Sequence, residues 1–268
     1  QVKKAIEDAL GIMAEKRSWD WSRLKWVTFW IPSRFVFWRK TGLATVSFPL
    51  WPCRVRGPRL DRLRITIDVG PIPLLCAYLY ESILDGVNLQ GADLWEASVQ
   101  GASLVYANLQ GALLLEGNLQ GTSLEGANLQ GTTLTDANLQ RANLELANLK
   151  GAFLMRANLQ RGSLWGASLP EAFLMSANIQ EADLMFADLQ GTNLEDANLQ
   201  GANLTSANLR DIQNWKKVAN LKGANIFGVV NPPAGFPEWA LSDEVGAVLM
   251  KSDEWKKWKE QKKKEGPL

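Results

Sequence analysis

The chain has 268 residues, 46% hydrophobic and 21% charged, with a net charge of +1, which is ample for a core of one or two domains. It has no histidine and only two cysteines; this removes the commonest general base and metal ligand and excludes a disulfide framework. Cys53 and Cys76 match no zinc spacing and read as two unpaired thiols on a reducing, cytoplasmic side, so no cofactor or metal is expected.

Charge is unevenly distributed. Residues 1–81 carry 14 Lys or Arg against 7 acids, residues 82–209 carry 4 against 13, and residues 210–268 carry 11 against 8. A basic flank on an acidic centre points to packing of one on the other, or to two different partners. The sequence starts at Gln1, and a native start upstream is expected. No run of 18 apolar residues occurs, so no membrane-spanning helix is predicted.

Residues 1–81 form a basic, Trp-rich segment. Val2, Ala5, Ile6, Ala9, Leu10 and Met13 follow helical spacing and predict a short amphipathic helix over 2–17. Next come Trp19, Trp21, Trp26, Trp30, Phe35 and Trp38, interleaved with Arg23, Lys25, Arg34, Arg39 and Lys40. Such a mixture suits a cover over an open end of the core, a membrane surface or large complex, or a protein partner. After a Pro- and Gly-rich stretch, Leu63, Ile65, Ile67 and Val69 alternate with polar residues, as a half-buried strand does.

The central stretch repeats every five residues. A large aliphatic residue stands at every fifth position from Leu84 to Leu209, 26 in all, each Leu except Val99 and Ile179. Two residues before each comes a small residue, Ala in 19 cases and otherwise Ser82, Val87, Gly117, Thr122, Thr132, Gly162 or Thr192. Five matches neither the strand period nor the helix period. It marks a repeat architecture, in which each unit buries its apolar residue by stacking on its neighbours.

Written out as Ala92-Asp93-Leu94, Ala107-Asn108-Leu109 and Ala127-Asn128-Leu129, the pattern resembles the pentapeptide-repeat family, whose signature is Ala-(Asp/Asn)-Leu-x-x. The resemblance implies an all-β solenoid, a right-handed quadrilateral β-helix with five residues per side. Leu and the small residue would point inward and the other three positions outward. Two further rhythms fit four sides. Gln recurs every ten residues from Gln90 to Gln140, and Phe153 and Met155 recur twenty residues on as Phe173 and Met175. Twenty residues per coil would stack these pairs roughly 4.8 Å apart.

On such a column, bulky apolar residues at outward positions are candidate partner-binding residues, because exposed apolar patches mark interfaces or covered surfaces. One face would carry Trp95, Leu113, Leu115, Phe153, Met155, Phe173 and Met175; the opposite face would carry Trp165, Met185 and Phe186, with Val105, Tyr106 and Leu146. Either face could instead be covered by the N-terminal segment. Glu96, Glu116 and Asp136 are expected to form an acidic row ending beside Arg156.

After Leu209 the register breaks at an insertion containing Trp215, and Asn220-Leu221 and Asn225-Ile226 resume it. The repeat is therefore placed at 82–226, with a C-terminal α-helical cap and Lys-rich tail at 227–268. Residues 238–250 and 252–264 are predicted helical, the second carrying Trp255 and Trp258 three apart. The segment Gly235 to Leu241 resembles the C-terminal cap of some pentapeptide-repeat proteins, and a homodimer through the last helix is one expectation.

No catalytic constellation is visible, so the chain is read as a non-enzymatic scaffold that binds a protein partner through its variable faces. Direct nucleic-acid binding is not expected. The resemblance supplies one alternative, because some family members mimic DNA and bind a type II topoisomerase such as DNA gyrase. Against it, 26 repeats span only about 31 Å at roughly 4.8 Å per coil, and Arg141, Lys150, Arg156 and Arg161 interrupt the acidic faces.

Overall fold

The computed structural model describes residues 78–265. The expectations for the N-terminal helix, the aromatic segment, the strand over 62–69 and both cysteines fall on residues 1–77, outside the described residues.

Successive repeats form the sides of a coil, and coils stack in parallel register. Tyr78 pairs with Ser98, Ile83 with Ser103, Asn88 with Asn108 and Asp93 with Leu113, and the same 20-residue offset continues to Asn193 and Gln213. Four sides of five residues therefore make one turn. The first side contains Asp93, Leu113, Thr133, Phe153 and Phe173 at its midpoint; the second Asn118 to Asn198; the third Ser103 to Asn203; the fourth Asn88 to Asn208. Leu79 is already buried and Tyr78 already paired, so the coil begins before the clear sequence signal at Ser82.

The inward pair is as the fivefold pattern predicts. The Leu column and the small residues two before each Leu form one continuous buried cluster. Four of the small positions are polar, Ser82 and three threonines. Thr122, Thr132 and Thr192 donate their hydroxyls to the carbonyls of Val99, Leu109 and Leu169 at 2.8, 2.8 and 2.9 Å, which satisfies groups that would be costly to bury alone.

Each corner is a tight turn closed by a backbone hydrogen bond, such as Ala97 N to Leu94 O at 3.0 Å. Its second central residue has positive φ, whether glycine (Gly131, +62°) or not (Glu96, +52°; Phe186, +60°). This is the conformation that a type II turn demands at that place. The residue before each Leu anchors the turn when it is Asn or Asp: Asn128 Oδ1 accepts from Gln130 N at 3.3 Å and Asp183 Oδ1 from Met185 N at 3.2 Å. Amides also bridge coils. Gln100, Gln120, Gln140, Gln160, Gln180 and Gln200 form a ladder of Nε2-to-Oε1 bonds of 3.0–3.4 Å along the corner after the second side.

Past Leu209 the coil is re-registered. Gln213 still pairs 20 residues back, but Asn220 pairs with Asn198 and Asn225 with Asn203, 22 residues back. The two extra residues are absorbed by a 3-10 turn at Trp215–Lys217. The long helix expected over 238–250 is not there. Helix α1 spans only Phe236–Ala240, Gly246 has φ +70°, and Val248 pairs with Asn225. The edge of the last coil offers unpaired backbone groups, and hydrogen bonds to them outweigh a helix that Gly246 already weakens. Helix α2, Ser252–Glu265, is present as expected; Trp255 is buried and stacks on Trp258 with ring centroids 4.9 Å apart. Trp215, Phe236 and Trp239 form a second aromatic cluster, with centroids 5.3–6.0 Å apart.

Candidate functional site

The outward residues of the first side are brought into one surface. Phe153 and Phe173 stand at equivalent midpoints of consecutive coils. Their rings are parallel within 2° at a centroid distance of 5.1 Å, and each is 38% exposed. Leu113 is exposed on the same column, while Leu115, Met155, Met175 and Trp95 are half-buried on the adjoining turn column. The rings lean on one another rather than into the core. Such a pair can present a flat apolar surface to a partner.

The outward positions are not uniformly solvated. Beside the exposed rings, the turn residues Met155, Met175 and Leu115 cover part of their own surface against the coil. Thr135, in the same column, is buried. Trp95 Nε1 is buried and has no partner among the described residues.

The third side and its following corner carry the second set. Trp165 and Phe186 are exposed and meet edge to face at 6.0 Å, with Met185 half-buried beside them. Tyr106 and Leu146 lie on the same corner, three coils and one coil from Trp165 respectively. Sequence reading places these residues on one face; it gives no hint of how their side chains lie.

The charged rows are also resolved. Asp136 accepts a two-pronged bond from Arg156 at 2.6 and 2.8 Å, and the guanidinium holds its carboxyl below the usual range. Arg161 pairs with Glu181 at 2.9 Å and Lys217 with Glu195 at 2.8 Å. Glu96 and Glu116 continue the row above Asp136, as expected. Among the described residues no group of three His, Cys, Asp or Glu could hold a metal ion, and no helix is long and apolar enough to cross a membrane.

Comparison with known proteins matches residues 82–114, 118–151, 152–185 and 182–213 to the model of pentapeptide repeats, in eight copies. A search of curated proteins finds no match. Among solved structures, HetL, a pentapeptide repeat protein involved in heterocyst differentiation regulation from the cyanobacterium Nostoc sp. strain PCC 7120, is 28% identical over 72% of this chain and 86% of its own, with a TM-score of 0.39. Another pentapeptide repeat protein from Nostoc is 30% identical over 46% of this chain and 84% of its own, with a TM-score of 0.31. QnrB1, a plasmid-mediated fluoroquinolone resistance protein, is 15% identical over 73% of this chain and 88% of its own, with a TM-score of 0.34.

Proposed function

We propose that this chain, which belongs to the pentapeptide repeat family and has that family's right-handed quadrilateral β-helix, is a non-catalytic scaffold that binds a protein partner through the outer faces of its rod. One observation carries the reading. Phe153 and Phe173 are stacked yet exposed, on a fold whose repeat already supplies an interior place for apolar side chains. Leu113, Leu115, Met155 and Met175 extend the surface along the rod. Aromatic and Met side chains are favoured at interface centres for their area and adaptability.

In this reading residues 82–226 are the binding rod, residues 1–81 dock it to a membrane surface or large complex, and residues 227–268 cover its end. Phe236, Ala240 and Ala247 join the buried cluster, which supports a covering role.

The mimicry of DNA suits this chain less well. It calls for unbroken acidic faces, whereas Asp136, Glu181 and Glu195 are each paired with a cation.

The test replaces Phe153, Met155, Phe173 and Met175 by Ser in the full chain. The expected result is an unchanged circular dichroism spectrum and loss of the partner that the unaltered chain captures by cross-linking in its native source. Unfolding of the variant, or undiminished capture, overturns the proposal.

A further inference from the structure

The corner between the third and fourth sides has an alternation that the fivefold repeat does not explain. Its second turn position reads, coil by coil, Gly86, Tyr106, Gly126, Leu146, Gly166, Phe186, Ser206. A Cβ on Gly126 would overlap the Tyr106 ring, and one on Gly166 would lie 3.0 Å from Leu146 Cδ2. Tyr106 and Leu146 therefore lie along the rod, each over the glycine of the next coil.

These residues stay outside the buried column. Tyr106, Leu146 and Phe186 have φ of +55°, +56° and +60°, a region that is disfavoured for large side chains. They remain 67%, 53% and 51% exposed, so burial does not offset the strain. Val105, Trp165 and Met185 flank them on the preceding turn position.

The electrostatic setting is equally distinctive. The two sides meeting here carry Asp85, Glu125, Glu145, Asp183 and Asp188, and between 82–89, 102–109, 122–129, 142–149, 162–169, 182–189 and 202–209 there is no Lys or Arg. The other three corners hold every ion pair found among the described residues. Among the described residues the ridge is thus apolar beside acids that meet no cation, whereas on the other corners Asp136, Glu181 and Glu195 each pair with one.

We propose that the ridge Tyr106–Leu146–Phe186 binds a cationic amphipathic α-helix lying along the rod. This rests on the reading of the rod as a protein-binding scaffold and names the chemistry of one partner segment. The ridge residues recur every second coil, about 9.6 Å apart at the usual strand spacing. Seven residues of helix rise about 10.5 Å, so an apolar stripe at i, i+7 and i+14 keeps step with all three to within about 2 Å. An extended strand covers that distance in about three residues, which puts successive contacts on opposite faces. Lys or Arg beside the stripe would meet Glu125, Glu145 and Asp183.

The probe is a synthetic helix of about 20 residues, roughly 30 Å long, with Leu on one stripe and Lys beside it, titrated against the full chain by fluorescence anisotropy. Binding is expected, and about tenfold weaker binding for a scrambled peptide of the same composition. Tyr106→Ser, Leu146→Ser and Phe186→Ser together should weaken it about tenfold, with the thermal transition retained. Glu125→Lys with Glu145→Lys leaves the ridge intact and should favour a Glu-flanked version of the helix instead. Phe153→Ser with Phe173→Ser should leave this binding unchanged, which separates its failure from failure of the first-side surface.

Equal binding of striped and scrambled peptides, or no effect of the ridge and charge variants, overturns the proposal. So does a benzophenone side chain placed at position 146 that cross-links to residues 1–77 of its own chain or to a second copy.

Discussion

The ring of Tyr106 occupies the space that a Cβ on Gly126 would need, although 20 residues separate the two. Gly126 has φ +61°, and Gly131, on the next corner, has φ +62° with nothing within 4 Å of its added Cβ. The two glycines therefore share a backbone conformation and differ only in what lies above them.

Gly131→Ala should cost about 1 kcal/mol, the strain of a Cβ in the left-handed region. Gly126→Ala should cost about 1 kcal/mol more, because the exposed Tyr106 ring must swing off the coil and lose its contact. Urea unfolding of both variants measures the gap, and Tyr106→Ala should remove it in a double-mutant cycle. Equal costs for the two glycines would show that the ring contributes no constraint.

Thr132 tests whether a buried hydroxyl in the column matters. Its Oγ1 donates to Leu109 O at 2.8 Å, but that carbonyl also accepts from Ala112 N at 2.9 Å. Thr132→Ala leaves no buried group without a partner and installs the residue that most repeats use, so a loss of about 1 kcal/mol or less is expected. Leu139→Ala, at a fully buried position, should cost about 2–5 kcal/mol. A reversal of that order in denaturant unfolding would contradict the account of the column.

Asp136 should titrate below the usual carboxylate range, mainly because Arg156 hydrogen-bonds it. A depressed folded-state pKa means that the pair's contribution is present above the unfolded value and is lost as pH falls through the folded value. With both side chains in solvent, the effect on stability is small, so the readout is the Asp136 carboxyl resonance followed by NMR. Arg156→Ala should return its midpoint upward to the ordinary range. An unchanged midpoint would mean that the ion pair does not persist in solution.

Much of the fold was legible because the inward pattern is local. Counting by fives identifies Leu and Ala as interior, and the recurrence of Phe153 as Phe173 gives the length of a coil. The same reasoning places the candidate residues on their faces. It fails at 238–250, where helical spacing competes with the backbone of a coil edge that only the stacked structure supplies; Val248 pairs with Asn225 there.

The sequence by itself determined the buried column, because every repeat writes the same two inward positions and their apolarity favours a single arrangement. Tertiary structure alone decided the finer contacts: which Gln side chains join a ladder, that Arg161 meets Glu181 and Lys217 meets Glu195, and that Tyr106 and Leu146 lie over glycines one coil away. Those contacts join residues about 20 apart, and they depend on side-chain direction, which a five-residue pattern does not encode.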